Sequence, residues 1–275
     1  MLVHITTILY DGSMSELVLE RRDGPVSVLT LNDPERANPL SAALADRLYR
    51  ALADAAEDHA LRAIVLTGAG RHFSAGADLA ALERLAVGGT EADNREDSER
   101  LERLYAELLD HPKLTVAAVH GAAIGGGCGL ATACDLVIAS ERARLGLPEV
   151  RLGCYPPVAL ALYPRRIGLG RTLELALTGR IFDVGEATRL GLVDEVVAAE
   201  LLAERARELA AAIGAHSAAV TRLAVRAARA GADRPFASAL NEAERIYLRE
   251  LAGTEDMKEG LAAFAQKRAP AWRNR

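Results

Sequence analysis

The sequence is poor in cysteine. Cys128, Cys134 and Cys154 form no Cys-x-x-Cys pair, so the chain has neither the even cysteine set of a disulfide framework nor the paired thiolates of a zinc site. The six histidines form no His-Glu-x-x-His motif, and we assign no metal. These absences predict reduced thiols in the cytoplasm, with Cys128 and Cys154 as small buried residues.

The chain also lacks an excess of positive charge. Its 33 Lys and Arg residues are outnumbered by 38 Asp and Glu, which gives a net charge of −5. Because a protein that binds nucleic acid needs a basic surface, this composition disfavours such a partner. With 275 residues, half of them hydrophobic, the chain suits one large globular domain, or one domain with a helical appendage.

The sequence predicts neither a leader nor a membrane helix. Residues 1–10 are apolar but carry no basic segment and no small-residue cleavage site, so we treat residues 1–14 as a ragged N-terminal extension. Residues 114–134 carry no formal charge, and that length could span a membrane. Because the segment contains a run of glycines, we expect a buried strand, turn and helix there, and no membrane partner.

Short apolar runs alternate with helical patterns along most of the chain. A hairpin is predicted at residues 17–20 and 26–31, and a helix at residues 41–59. Four further apolar runs predict buried strands. Strands separated by helices favour an α/β core with parallel strands. The predicted buried strands are residues 63–66, 116–119, 136–139 and 192–197.

The C-terminal quarter of the sequence is predicted to be helical. We therefore divide the chain into a core, residues 15–198, and a helical oligomerisation region, residues 199–275. The apolar faces of those helices need a cover, either the core or a partner subunit. The predicted helices are residues 200–214, 217–230, 237–253 and 255–266. The polar, acidic residues 87–98 predict a mobile loop near any pocket.

Several common enzyme motifs are missing. No Gly-Lys pair occurs, which excludes a P-loop. The glycine cluster at 125–130 lacks the third small residue of a dinucleotide-binding loop. Ser74 lacks the first glycine of a nucleophile elbow, so a serine hydrolase has no support.

Two glycine-containing loops and one carboxylate remain. The loops are Phe-Ser-Ala-Gly-Ala-Asp-Leu at 73–79 and Gly-Ala-Ala-Ile-Gly-Gly-Gly at 121–127, and the carboxylate is Glu149. Small residues at Ala77 and Gly126 let a ligand oxygen approach the main-chain N–H groups, and Gly126 falls where a helix should begin. Such donors suit a developing oxyanion, although close packing of strand against helix also explains a glycine cluster taken alone.

These segments resemble the crotonase superfamily, also called the enoyl-CoA hydratase/isomerase family, from about residue 17 to residue 273. The resemblance is carried by PERANPL at 34–40, the two loops with CGLATACDLVIAS after the second, LPEVRLGCYP at 147–156, TGR at 178–180, GEATRLGLVDEVV at 185–197 and EDMKEGLAAFAQKRAPAW at 255–272. It implies a spiral of β-β-α repeats, a helical trimerisation region, homotrimers or dimers of trimers, and an acyl-CoA substrate of the kind found in fatty acid metabolism. Coenzyme A belongs to that substrate, so no separate cofactor is implied.

The resemblance also implies roles for individual residues. Ala77 and Gly126 match the donors of the oxyanion hole, and Glu149 matches a catalytic acid/base. Phe264 and Lys267 match residues that reach the CoA of a neighbouring subunit. The positions that match the family's CoA-lining residues are Ala37, Ala75, Asp78, Leu79 and Ala80.

One departure from the family pattern matters for the reaction. Hydratases of this family commonly carry a second acid where this chain has Gly129. A single carboxylate suits hydration less well, because water must be activated and the α-proton handled, whereas isomerisation of a 3-enoyl to a 2-enoyl ester can use one base. Glu149 alone suits isomerisation, and hydration stays open. Glu149 is expected in an apolar wall with Leu147, Val150 and Tyr155, where burial raises its pKa.

The residues after Glu149 are compatible with more than one acyl-CoA substrate. Tyr155 precedes two prolines, which stiffen the wall, and it could orient water or fill the acyl pocket. This region looks similar to hydratases of cyclic dienoyl-CoA esters from aromatic degradation. A catalytically weak CoA-ester-binding protein is a further alternative. Asp135, at the start of a predicted strand, matches a structural acid of the family.

Overall fold

The computed structural model describes residues 16–232 and 234–275. The predicted N-terminal extension lies outside the described residues. The strands are β1 (Val18–Asp23), β2 (Val26–Leu31), β3 (Pro39–Leu40), β4 (Ala63–Gly68), β5 (Gly76–Ala77), β6 (Leu114–Val119), β7 (Ala122–Ile124), β8 (Leu136–Ser140), β9 (Arg144–Gly146), β10 (Ile181–Asp183) and β11 (Glu195–Val197).

Helices fill most of the remaining chain. They are α1 (Ala42–Glu57), α2 (Leu79–Gly88), α3 (Glu91–Leu109), α4 (Gly126–Ala133), α5 (Pro157–Ile167), α6 (Leu169–Thr178), α7 (Val184–Leu190), α8 (Leu202–Gly214), α9 (Ala218–Gly231), α10 (Phe236–Ile246) and α11 (Glu255–Ala265). Short 3-10 helices lie at Pro34–Arg36, Pro148–Leu152 and Ala199–Leu201, and a π-helical turn at Tyr247–Leu251 follows α10.

The strands form the β-β-α spiral that the resemblance implies. The large sheet has the order β1-β2-β4-β6-β8-β11. Its strands β2, β4, β6 and β8 are each followed by a strand of a smaller layer, and then by helical chain that leads to the next turn. Only β1 runs antiparallel to its neighbour in the large sheet. In the smaller layer β3 pairs with β5, and β7, β9 and β10 form a second sheet that an isolated bridge between Ser74 and Ala123 joins to it.

The first turn of the spiral forms as the sequence predicts. Gly24, at φ 57°, allows the tight connection between β1 and β2, which pair in register from Val18 opposite Leu31 onward. The Ser41 side chain accepts a hydrogen bond from the Leu44 N–H and caps α1. The leucines of the predicted helix face, Leu44, Leu48 and Leu52, are fully buried.

Apolar side chains cover both faces of the large sheet. One face packs against α1 in the main core. On the other face, Val65, Val116 and Ile138 pack against Leu202 and Ala206 of α8. The apolar face of α8, the first helix after β11, is therefore buried against the large sheet. For this helix the core supplies the cover that its apolar face was expected to need. The division of the chain at residues 198 and 199 stays a prediction.

The prediction of a loop at 87–98 is wrong, because residues 87 and 88 end α2 and residues 91–98 begin α3, but the segment does lie beside a cavity, as expected. Thr90 and Asp93 form a reciprocal capping box that starts α3. Further along the helix, Leu104, Tyr105 and Leu108 are buried at helical spacing. The first half of α3 is exposed to solvent, which suits its acidic residues. The second half packs against the core through its buried side chains.

The structure corrects the bounds of two predicted elements and confirms a third prediction. The last strand covers only Glu195–Val197, because Leu192 and Val193 are buried in the turn after α7. The helix predicted at 237–253 is split into α10 and the π-helical turn. The uncharged segment 114–134 forms β6, β7 and α4, as predicted, and no helix in the described ranges has the length and apolarity to cross a bilayer.

Candidate active site

The two glycine-containing loops meet where β5 lies beside the start of α4. A Cβ placed on Gly126 would lie 3.7 Å from the backbone N of Ala77, so the two peptide groups are close neighbours. Gly126 is the first residue of α4, and the N–H groups of a first helical turn have no acceptor within the helix. The helix start therefore presents donors, and the helix dipole favours negative charge there.

Glu149 lies on the 3-10 helix Pro148–Leu152, which Pro148 begins and Gly153 ends at φ 74°. Its side chain lies against the second glycine loop, because a Cβ on Gly125 would come 2.7 Å from Glu149 Oε1. Gly125 also has φ 54°, a left-handed value that favours glycine. Any side chain at position 125 would thus displace the carboxylate.

The carboxylate of Glu149 is poorly satisfied. Glu149 Oε2 is buried and has no hydrogen-bond partner among the described residues. Burial raises the pKa of Glu149 above its ordinary value, since desolvation disfavours the charged form. A hydrogen bond from its own backbone lowers the pKa by less. The side chain is therefore a stronger base than an exposed carboxylate, as the sequence predicts.

Two cavities adjoin at this point. The first has a volume of about 400 Å³ and the second about 470 Å³. Residues lining both are Ala77, Leu82, Gly125, Glu149 and Cys154. The junction of the cavities thus brings together Ala77, which is predicted to donate to an oxyanion, and the Glu149 carboxylate, and Gly126 lines the second cavity beside them.

The first cavity contains most of the residues predicted to bind CoA. Those that line it are Ala75, Asp78, Leu79 and Ala80. Ala37 does not line it, but its carbonyl accepts a hydrogen bond from the Ala75 N–H at 2.8 Å. Arg36 also lines this cavity and pairs with Asp78 at 3.0 Å. Sequence reasoning missed Arg36, which adjoins Ala37 in a matching segment.

The second cavity is mostly apolar. Its aliphatic lining comes from Leu40, Leu82, Leu85, Leu101, Val158 and Ala159. Tyr155 lines it too, with 70% of its surface exposed. Of the predicted wall around Glu149, Leu147 is fully buried, whereas Val150 lines neither cavity. Pro148 and Leu152, on the same 3-10 helix as Glu149, line the first cavity beside it.

Tyr105 is a polar lining residue that sequence reasoning missed. It lies on α3, is 5% exposed, and its hydroxyl donates a hydrogen bond to the Gly126 carbonyl oxygen at 2.8 Å. The helix was not predicted, because its acidic, polar first half was interpreted as a loop. The capping box at Thr90 and Asp93, followed by apolar residues at helical spacing, is the signal that could have revealed it.

Comparison with known proteins agrees with this geometry. The family model for enoyl-CoA hydratase/isomerase matches residues 21–275. The chain belongs to the enoyl-CoA hydratase/isomerase family. A Thermus thermophilus protein whose name places it among the enoyl-CoA hydratases is 42% identical over 249 residues, which cover 90% of this chain and 97% of that one.

Two further relatives belong to the same family. The 2,3-dehydroadipyl-CoA hydratase of Escherichia coli is 37% identical over 263 residues, with coverage of 95% of this chain and 100% of that protein. The crystal structure of an enoyl-CoA hydratase from Bacillus anthracis matches with a TM-score of 0.87 at 35% identity, covering 94% and 100% of the two chains. This family member is therefore a hydratase/isomerase enzyme with the crotonase fold.

The other acids near the family site are engaged elsewhere. Asp135, at the start of β8, accepts hydrogen bonds from the N–H and hydroxyl of Thr115 and pairs with Arg229 at 2.7 Å. It is a structural acid, as the resemblance implies. Asp97 lines the second cavity but is 32% exposed and lies 3.5 Å from Arg100.

The three cysteines differ in their surroundings. Cys128 and Cys134 are buried, and burial raises the pKa of Cys128 to about 11, which keeps it a neutral thiol. Cys154 was expected to be buried, and this is wrong. It is exposed and lines both cavities, because it lies in a stretch, residues 150–155, that is exposed throughout.

Phe264 and Lys267 lie apart from the two cavities. Phe264, near the end of α11, is 85% exposed, and Lys267 follows the helix at φ 53°. Neither residue lines either of these two cavities. Their contact with the CoA of a neighbouring subunit stays a prediction.

Proposed function

We propose that this enzyme moves the double bond of a 3-enoyl-CoA thioester to the 2,3 position, with Glu149 as its single acid/base. The observation that carries the proposal is the position of Glu149. It is the one carboxylate among the residues that line both cavities, and its Oε2 is buried without a hydrogen-bond partner. Coenzyme A enters as part of the substrate, so the reaction requires no separate cofactor.

The thioester oxygen is placed at the N–H groups of Ala77 and Gly126. Glu149 accepts a proton from C2, and the electron pair of that C–H bond forms a dienolate whose charge rests on the thioester oxygen. Donors fixed before the reaction stabilise such a charge at no cost of reorganisation. Glu149 then returns the proton to C4, and the double bond is left between C2 and C3.

The two cavities hold different parts of the substrate. We assign the pantetheine arm to the first cavity, where Ala75 and Asp78 to Ala80 supply the lining and Arg36 a positive charge. The acyl group takes the second, apolar cavity. In an assembled trimer or dimer of trimers, Phe264 and Lys267 of another subunit would extend the CoA site.

Hydration of a 2-enoyl-CoA is the second candidate function. The named relatives favour it, since the Escherichia coli protein is a hydratase of an unsaturated acyl-CoA ester. A cyclic dienoyl-CoA remains a candidate substrate through Tyr155, Pro156 and Pro157, which line the acyl cavity. A protein that only binds CoA esters has less support, because binding needs no buried carboxylate without a partner.

The variant Glu149→Gln tests the proposed function. It keeps the shape of the side chain but cannot accept a proton, so turnover and deuterium exchange at C2 should fall at least about 100-fold while CoA-ester binding persists. Mass spectrometry in D₂O with 2-enoyl-, 3-enoyl- and cyclic dienoyl-CoA esters measures both, since hydration adds a water and isomerisation does not.

Glu141→Gln is the matched control, because Glu141 lies outside both cavities and pairs with Arg142. It should leave exchange unchanged. If Glu149→Gln retains exchange with every ester of the panel, the single-base mechanism is wrong.

A further inference from the structure

Gly129 leaves a space in the wall of the acyl cavity. It is the fourth residue of α4 and lines the second cavity together with Glu149. A Cβ at this position would lie 3.4 Å from the Tyr105 hydroxyl oxygen and 3.4 Å from Val158 Cγ1. The Tyr105 hydroxyl therefore borders the space that a side chain at position 129 would enter.

The bonding of Tyr105 determines what this hydroxyl can offer. Its proton is used in the hydrogen bond to the Gly126 carbonyl oxygen, so the hydroxyl oxygen faces the cavity region as an acceptor. Burial raises the pKa of Tyr105, and the neighbouring Glu149 carboxylate raises it further, which keeps the phenol neutral. Tyr105 can thus hold a donor but cannot act as a base near neutral pH.

We propose that Tyr105 positions a water molecule in the space beside Gly129, so that Glu149 alone can hydrate a 2-enoyl-CoA. This inference rests on the proposed function, because it uses the same substrate site and the same base. The water donates one hydrogen bond to the Tyr105 oxygen and the other to Glu149. A small polar space bordered by such partners is the kind of site in which an ordered water is held.

The addition then uses one carboxylate twice. Glu149 removes a proton from the held water while the water oxygen bonds to C3. The electron pair of the C2–C3 double bond forms the enolate, whose charge lies at the Ala77 and Gly126 N–H groups. Glu149 returns the same proton to C2, and the product is a 3-hydroxyacyl-CoA. Dehydration is the reverse, with the C3 hydroxyl bound to Tyr105. The enzyme thereby carries both hydratase and isomerase activity on one base.

The variant Tyr105→Phe tests this water-positioning role. It removes the acceptor and should lower hydration of a 2-enoyl-CoA about tenfold relative to isomerisation of the matching 3-enoyl-CoA, the loss typical of one hydrogen bond. The readout is the ratio of the two rates. Loss of the bond to Gly126 would disturb the oxyanion donors for both reactions and leave that ratio unchanged.

Two more variants complete the experiment. Gly129→Ala keeps Tyr105 and its bond to Gly126, fits at 3.4 Å from the hydroxyl, and fills the space for water, so it should shift the ratio in the same direction. Tyr163→Phe is the matched control. Its buried hydroxyl contacts Cys128 Sγ at 3.1 Å and lines neither cavity, so the ratio should not change.

The outcomes separate this inference from the proposed function. An unchanged ratio in Tyr105→Phe and Gly129→Ala, or an unaltered enzyme that isomerises but does not hydrate, overturns the role of Tyr105. Either result leaves the single-base isomerisation intact. Retention of C2 exchange in Glu149→Gln overturns the proposed function itself.

Discussion

Glu149 places a partly buried carboxylate in the wall of both cavities, and this has a consequence for stability. Because its pKa is raised in the folded state, folding favours the protonated form. The ionised side chain therefore lowers the free energy of unfolding once the pH exceeds the raised pKa, and the penalty disappears below the ordinary value of about 4.5.

We accordingly expect Glu149→Gln to raise the Tm at pH 8, with a difference that shrinks as the pH approaches 4.5. Thermal unfolding of both proteins across this range measures it. Glu141→Gln, at an exposed site, should show no such trend. A lower Tm for Glu149→Gln at pH 8 would mean that the carboxylate stabilises the fold and has a partner.

Gly126 offers a test of the oxyanion hole at a single atom. Gly126→Pro removes the N–H, and proline is tolerated at the first position of a helix. Turnover should fall about 100- to 1000-fold, the typical effect of losing one donor. Gly126→Ala is the control, since it keeps the N–H and adds a Cβ 3.2 Å from Leu40 Cδ1. Comparable losses in both variants would indicate steric exclusion of the substrate instead of a lost donor.

At the scale of elements, α3 supplies the acyl cavity with residues from both of its halves. Its first half contributes Asn94 and Asp97, and its second half Leu101 and Tyr105. The first half makes few buried contacts, so its order depends strongly on the cap at Thr90.

Thr90→Ala should therefore loosen the first turns of α3. Removing such a cap costs about 1 kcal/mol, and amide exchange across residues 91–98 should accelerate. Thr254→Ala, which removes the cap of α11, is the control and should affect exchange only at the start of that helix. Unchanged exchange at 91–98 would show that packing and not the cap holds this segment.

The sequence predicts elements whose local signals and burial agree. The hairpin around Gly24 and the helix after Ser41 are examples, since turn, cap and apolar spacing indicate the same structure. In α3 the signals conflict, because an acidic, exposed first half resembles a loop. Apolar periodicity begins only near Leu101, and the helix was therefore missed.

The same limit applies to the site. That Ala77, Gly126 and Glu149 meet in one site could be predicted, because each lies in a short motif that the family resemblance contains. Tyr105 could not, because its position beside Gly129 arises from the packing of α3 on α4. No spacing within either segment indicates that contact.

For the whole molecule we predict a homotrimer or a dimer of trimers. Leu169, Leu173 and Leu177 form an exposed stripe at helical spacing on α6 and are 63%, 41% and 67% exposed in the described structure. Such a stripe is typical of a surface that a second copy covers. Light scattering at micromolar concentration should give three or six times the mass of the chain.

Leu177→Glu should weaken that assembly, whereas Val87→Glu, an equally apolar and 84% exposed residue at the end of α2, should leave it intact. If the unaltered chain is a stable monomer, the predicted trimer is wrong. The predicted contact of Phe264 and Lys267 with a neighbour's CoA is then wrong as well.

The three groups of the reacting centre come from three successive turns of the spiral. Ala77 lies in β5, Gly126 begins α4 after β7, and Glu149 follows β9. A bound thioester that touches all three acts as a reversible cross-link between these turns. By mass action, a ligand at 100 times its Kd adds about 2.7 kcal/mol to the stability of the state that binds it. A bound CoA ester should therefore raise the free energy of unfolding of the enzyme in proportion to the logarithm of its concentration.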